Sequence, residues 1–270
     1  MKNDVCLAKK IRKLEPEAKK LLIEGELLVY LQPQINIETS CIEGFEALIR
    51  WKHPEKGILR PEHFLETAKE LHLINFMDFM VFEKVCLFLK KRMDEHKELF
   101  HISCNFVREH FEREEFPAQL LKICEKTGVP AEYLAIEIVE GHAFEEEAAV
   151  QRTVTKLKEC GFFVYLDDYG AKNSAFRDLM IHSISHVKLD KSIADNIEQE
   201  HVQVLTQGLC RIAHRLSYSV VCEGVETKQQ LGLVRKCGVD IVQGFYYYKP
   251  MDMKAAELLY DKQKKRKDKF

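Results

Sequence analysis

Apolar positions along this chain follow two rhythms. In LLVYLQPQINI (27–37) and IEGFEALIRW (42–51) they keep the short spacing of strands, and the polar link Glu38-Thr39-Ser40 between them predicts an antiparallel hairpin. Pro33 has no N–H to give a ladder, so it suits an edge or a break. Beyond the hairpin, helical periodicity over about 61–94, 116–127, 144–159, 199–215, 227–236 and 253–260 alternates with short apolar runs. Those runs are HISCNFV (101–107), YLAIEIV (133–139), FFVYLDD (162–168), ISHVKLD (184–190), YSVVCEG (218–224) and VDIVQGF (239–245). Such alternation predicts successive βα units on a parallel sheet. Eight strands within roughly 230 residues predict an α/β fold, a TIM-like (β/α)8 barrel whose first strand is antiparallel. An open doubly wound sheet is the alternative.

The ends of the chain read differently. Residues 8–24 place Leu and Ile at helical spacing among Lys, Arg and Glu, and predict an amphipathic helix that packs on the domain or is the remnant of a linker. The run DKQKKRKDKF (261–270) predicts a basic, disordered tail. The organisation is thus an N-terminal segment 1–25, one domain over 26–260 and the tail.

Composition narrows the chemistry. The 270 residues carry 41 basic and 43 acidic side chains, a formal charge of −2, so bulk positive charge does not steer the chain to DNA or RNA polymers. Nine cysteines, scattered and never in a C-x-x-C pair, argue against a disulfide framework or a zinc site and for a reducing compartment. No apolar run is long enough for a membrane segment, and the expectation is a soluble, cytoplasmic protein.

In a parallel barrel the chemistry gathers at the C-terminal ends of the strands. Here those positions carry Gln32, Glu46 with Arg50, Asn105, Glu137 with Glu140, Asp167 with Asp168, Lys188 with Asp190, Glu223 with Glu226, and Gln243. Any one of these has an ordinary reading as a loop residue, a helix cap or a surface lysine. Together they would crowd carboxylates at one barrel mouth, at a cost of several kcal/mol each unless cations neutralise them. Carboxylates and an amide, without histidine or thiolate, match Mg²⁺ or Mn²⁺. Adjacent aspartates suit a pair of ions about 3.5–4 Å apart, an arrangement that serves in-line displacement at phosphorus. The residues alone point to a metal-dependent phosphoryl hydrolase.

The ordered motifs also resemble a known family. EGFEALIRW followed by KHP, then YLQPQ, the CNF around Asn105, AIEIVE, LDDYG, VKLD, CEGVET and VQGFYYYKP look like the EAL-domain family, the bacterial cyclic di-GMP phosphodiesterases. The resemblance covers about 26–260. It implies hydrolysis of cyclic di-GMP to linear pGpG with two Mg²⁺ or Mn²⁺ ions, inhibition by Ca²⁺, and a homodimer. It also implies that Glu46, Asn105, Glu137 and Asp167 hold one ion, and that Asp167, Asp168 and Glu223 surround the second. By the same resemblance Lys188 holds the attacking water, Gln243 positions water or substrate, and Gln32 and Arg50 contact substrate. Asp190 and Glu226 match the family's positions for less defined roles near substrate, and Glu140 anchors the loop after the paired aspartates. That loop departs from the family pattern DFGTGYSS: Ala171, Lys172 and Asn173 replace threonine, glycine and an aromatic residue, and Val139 replaces a threonine. The departure supports a competing expectation, a degenerate module that binds cyclic di-GMP or a protein partner without turnover.

Overall fold

The structure, a computed structural model, describes residues 26–139, 147–171, 179 and 181–267. The expected N-terminal helix, Glu140, Lys172 and Asn173 lie outside the described residues. Strands β1 (Glu26–Asn36) and β2 (Ile42–His53) form the expected hairpin. Its turn is built on Asn36, whose Oδ1 accepts from the backbone N–H of Glu38 and Thr39, with Ser40 at φ 55° completing the reversal. Next come a short β3 (Gly57–Leu59), then β4 (His101–Phe106), β5 (Leu134–Val139), β6 (Phe163–Tyr169), β7 (His186–Leu189), β8 (Ser219–Cys222), β9 (Ile241–Val242) and a short β10 (Met251–Asp252).

Strand β2 pairs parallel with β4, and parallel pairing continues in chain order through β9. Strand β1 then closes the ring, antiparallel to both β2 and β9. The result is an eight-stranded closed barrel with one reversed strand, as the sequence pattern predicts. Open doubly wound topology is excluded by that closure. Pro33 is not near an end of β1. It pairs with Phe45 on one side and falls between the contacts of β1 with β10 at Tyr30–Leu31 and with β9 at Ile35–Asn36 on the other. A residue without a donor fits this interruption.

Helices cover the outside: α1 (Leu65–Glu70), α2 (Ile74–Asp94), α3 (Phe116–Thr127), α4 (Glu147–Glu159), α5 (Lys191–Asn196), α6 (Glu200–Arg215), α7 (Lys228–Cys237) and α8 (Met253–Lys267). The single periodic stretch 61–94 resolves into a 3₁₀ turn, α1 and α2, broken where His72 takes φ 53°. Outward strand residues and inward helix residues make one continuous core that includes Phe82, Phe106, Phe116, Val164 and Leu189. Each such side chain contributes roughly 1.5–3 kcal/mol by burial.

The C-terminal stretch corrects the expectation of a disordered tail, because α8 continues through Lys267. Arg92, 1% exposed, pairs with Glu257 at 3.0 Å and with Asp261 at 2.9 Å. Gln263 accepts from the Ile42 N–H at 2.7 Å, and Lys264 meets Glu98 at 2.6 Å. A charge run that looks solvated in sequence is thus tied to α2 and the barrel base on one face.

Candidate active site

Side chains alternate across a strand, so residues two apart share a face. In this barrel that rule sends Glu46, Asn105, Glu137, Asp167 and Lys188 into the interior near the strand C-termini, and Cys104, Ile136, Leu166, Val187 and Leu189 outward into the helix layer. Lys188 is the centre. It has no exposed surface, and its Nζ lies 2.7 Å from Glu137 Oε2, 2.8 Å from Asp167 Oδ1, 2.7 Å from Glu223 Oε1 and 3.5 Å from Glu46 Oε2. Four carboxylates therefore converge on one ammonium. Asp168 stands beside them, and ligand oxygens of Asp167, Asp168 and Glu223 all lie within 4.8 Å of one another.

Consecutive strand residues should face opposite ways, yet Asp167 and Asp168 reach the same mouth. The cause is local. The register between β6 and β7 shifts between Leu166 and Tyr169, and Asp168 takes φ 55°, the left-handed region that aspartate tolerates better than most residues. Gly170 follows at φ 100°, and Ala171 N–H donates to the Asp168 carbonyl at 3.2 Å, closing the turn. This bulge re-aims the second carboxylate.

The electrostatics show an excess of negative charge. Burial pushes Glu137 well above the ordinary carboxylate range and raises Asp167, both against the pull of Lys188. Burial, with Asp167 adjacent, takes Asp168 to about 6, and burial takes Glu223 to about 8. Burial opposes the charge on Lys188, but Asp167, Glu137, Glu223 and Glu46 hold its pKa well above the usual lysine value. Among the described residues, the buried Glu137 Oε1 faces no donor, and Asp167 Oδ1 and Glu223 Oε1 have only the shared Lys188 ammonium, at 2.8 and 2.7 Å.

Amides complete the ring. Asn105 Nδ2 donates to Glu46 Oε1 at 2.8 Å, which leaves Asn105 Oδ1 as its ligand atom. Gln243 Nε2 donates to Glu46 Oε2 and, at 3.2 Å, to Gln32 Oε1. Gln34, a residue the strand-end inventory passes over, donates to Gln243 Oε1 at 3.1 Å. Its signal in the sequence is the polar residue two positions after Gln32, on the same strand face. Arg50 lies four residues beyond Glu46 on β2, 8% exposed, over the Tyr30 ring at 5.5 Å with Nη1 donating to the Ile49 carbonyl. Burial and nearby Arg60 lower its pKa, with Glu62 opposing.

Two predicted residues stand apart from this ring. Asp190 caps α5, accepting from the Ser192 N–H at 3.0 Å, and reaches the cluster only through its field on Asp168. Glu226 is exposed and pairs with Lys191 at 2.7 Å. Beside Asn105 opens a cavity of about 620 Å³, lined by Leu48, Met77, Phe106 and Arg113 among others. Asp78, Glu66 and Glu109 are its acidic residues, and Asp78 Oδ2 accepts from the Val107 N–H at 3.1 Å and meets His110 Nε2 at 3.2 Å.

The donor set passes the test for hard divalent ions: an anionic cluster short of positive charge, the buried Glu137 Oε1 without a donor, the Asn105 amide oxygen, and no thiolate or imidazole among the ligand atoms. Comparison with known proteins identifies the family. The EAL domain profile matches residues 16–250. "Oxygen sensor protein DosP" of Escherichia coli is 28% identical over 234 residues, 86% of this chain and 29% of its own length. "Probable cyclic di-GMP phosphodiesterase PdeG" of E. coli is 30% identical over 84% of this chain and 45% of its own length. The chain thus spans less than half the length of these curated relatives. Among solved structures, the EAL enzyme Bd1971 in its cAMP and cyclic di-GMP bound form superposes with TM-score 0.83 at 22% identity, covering 94% of this chain and 69% of that one. Fold, ordered motifs and profile agree: this chain belongs to the EAL-domain family.

Proposed function

We propose that this chain hydrolyses cyclic di-GMP to linear pGpG. The observation that carries the reading is the ring of four carboxylates around the buried ammonium of Lys188, with Asp168 beside it. The names of curated relatives support the substrate: PdeG is called a probable cyclic di-GMP phosphodiesterase, and NbdA of Pseudomonas aeruginosa a cyclic di-GMP phosphodiesterase.

In this reading Glu46, Asn105, Glu137 and Asp167 hold one divalent ion, and Asp167, Asp168 and Glu223 the other. Mg²⁺ or Mn²⁺, when bound, supplies Lewis-acid polarisation of the phosphodiester and makes water a stronger nucleophile, whereas Ca²⁺ inhibits. Lys188, permanently charged among these carboxylates, donates to the attacking water and orients it in line with the scissile bond. Gln243 keeps the Glu46 carboxylate facing the cluster. Arg50 and Gln32, on the adjoining strands, contact the phosphate and base of the substrate. The cavity beside Asn105 combines apolar walls with acceptors at Asp78, Glu66 and Glu109, and suits a planar base whose N–H groups need an acceptor.

Purified chain with Mn²⁺ or Mg²⁺ is expected to release pGpG from cyclic di-GMP, and Glu46→Ala to abolish release. Tight binding of cyclic di-GMP without product would replace this reading with the non-hydrolytic effector.

The partner surface we propose is a second copy of the chain. Helix α6 exposes Val204, Leu205 and Ile212, and its C-cap Leu216 extends this face, with Gly208 amid them open to solvent. Exposed Glu198 and Glu200 lie at one end of this face, and exposed Arg211 and Arg215 toward the other. Two copies of α6 packed antiparallel bring Leu205 of each against Ile212 of the other and match acidic ends to basic ones. This arrangement supports an isologous homodimer.

A further inference from the structure

Interiors of such barrels are ordinarily filled by branched apolar side chains. Gln34, on β1, departs from that: it is 3% exposed inside the barrel, where an amide is costly unless its hydrogen bonds are made. Its Nε2 donates to Gln243 Oε1 at 3.1 Å. Gln243 Nε2 passes the polarity on to Glu46 Oε2 and to Gln32 Oε1, and Gln32 Nε2 ends the chain on the Tyr248 carbonyl at 3.3 Å. A glutamine amide has one acceptor end and one donor end. With a donor fixed on Gln243 Oε1, the Gln243 N–H₂ must face Glu46. Turned around, the same amide would set its oxygen against a carboxylate oxygen, two acceptors with no proton between them.

We propose that Gln34 is a positioning residue that sets the direction of this amide relay, and through Gln243 fixes the Glu46 carboxylate for divalent-cation binding. The inference rests on the reading of Glu46 as a metal ligand. Glu46 is held at both oxygens, Oε1 by Asn105 and Oε2 by Gln243, so its plane is set only while both donors are in place. Losing the Gln34 donor releases the Oε1 end of Gln243, so its amide swings away from the fixed geometry and one of the two restraints on Glu46 is loosened. Outer partners of this kind typically change metal affinity by about 10–100-fold.

The test uses Mn²⁺ alone, titrated into the substrate-free chain and followed by electron paramagnetic resonance of the unbound ion, with melting curves as a check on folding. Gln34→Met, close in volume but without the donor, is expected to bind Mn²⁺ about 10-fold more weakly at an unchanged cooperative melt. Its kcat on cyclic di-GMP falls while KM is little changed. In a Gln243→Met background, Gln34→Met adds nothing further, because the relay is already cut. Gln34→Asn, an amide one methylene short of Gln243, gives the same loss and serves where the apolar variant unfolds. Failure of the unaltered chain to bind Mn²⁺ overturns the metal reading of Glu46 and the relay with it. Binding by the unaltered chain that both Gln34 variants retain in full, or a Gln34→Met effect that persists undiminished in the Gln243→Met background, overturns the relay alone.

Discussion

Lys188 is a single cation that four buried carboxylates share, and this makes it a structural residue of the metal-free protein as well as a catalytic candidate. Lys188→Met removes the only ammonium in contact with that cluster among the described residues. Breaking a buried charge group in this way costs about 3–5 kcal/mol. The loss is expected in full near pH 9.5, is smaller near pH 6, where Glu223, pushed up to about 8, and the strongly raised Glu137 carry protons, and is read by urea unfolding at the two pH values without divalent ions. A second residue-scale effect lies below the site. His186 packs against the Tyr165 ring at 4.1 Å, and its Nδ1 meets Ser185 Oγ at 3.1 Å. Burial, reinforced by His101 and opposed by Asp240, lowers its pKa to about 4. The folded state then holds His186 neutral while the unfolded chain protonates it near 6.5. Stability is therefore unaffected above that pH and falls as pH drops from about 6.5 toward 4, by no more than about 3.5 kcal/mol. His186→Phe is expected to flatten that slope in thermal melts across the same range.

At this scale the sequence was legible wherever a polar residue ended an apolar run, which is how Glu46, Asn105, Glu137, Asp167, Lys188 and Glu223 stand out. Gln34, Tyr165 and His186 lie deeper in strands. Their facing depends on closure of the barrel, which no local pattern encodes. Asp168 is legible as a residue but not as a geometry, because the bulge that aims it arises from pairing with β7.

Among elements, β9 shows how little regular structure can hold a site residue. It is two residues long, and Gln243 follows it immediately. What fixes Gln243 is the next turn: the Val225 N–H donates to the Gln243 carbonyl at 3.3 Å, and the Tyr246 N–H to the Val225 carbonyl at 3.0 Å. Gly244 lies so close to Val225 that an added Cβ would strike the Val225 backbone. Gly244→Ala is expected to destabilise the chain by about 2–3 kcal/mol in chemical denaturation and to lower turnover as well, since the clash displaces Gln243. Element reading from sequence succeeded for the long periodic helices and the apolar strands. It passed over β3, β10 and α5, which are two to six residues long and take their shape from neighbours. The basic C-terminal run misled for a related reason: the partners that order it, Arg92, Glu98 and the Ile42 N–H, are about 160 or more residues away in sequence.

For the whole molecule, the exposed apolar face of α6 carries the prediction that the chain self-associates. Leu205→Glu with Ile212→Glu is expected to give a monomer in sedimentation equilibrium while leaving the melting temperature within a few degrees, since neither side chain is buried in the single chain. Among the described residues no helix is long and apolar enough to cross a membrane.

The reversed first strand closes the ring, and its closure has a consequence for the life of the protein. Glu46 meets Gln243 across 197 residues of sequence, and Gln32 meets the Tyr248 carbonyl across 216. Contacts so distant form late in folding. A chain still emerging from the ribosome, or clipped before β9, holds most of the acidic residues but cannot complete the enclosure around them. Synthesis of β9 and the turn after it therefore acts as an arming step: a nascent chain that lacks them does not have the assembled site, and competence arrives only with the closed barrel.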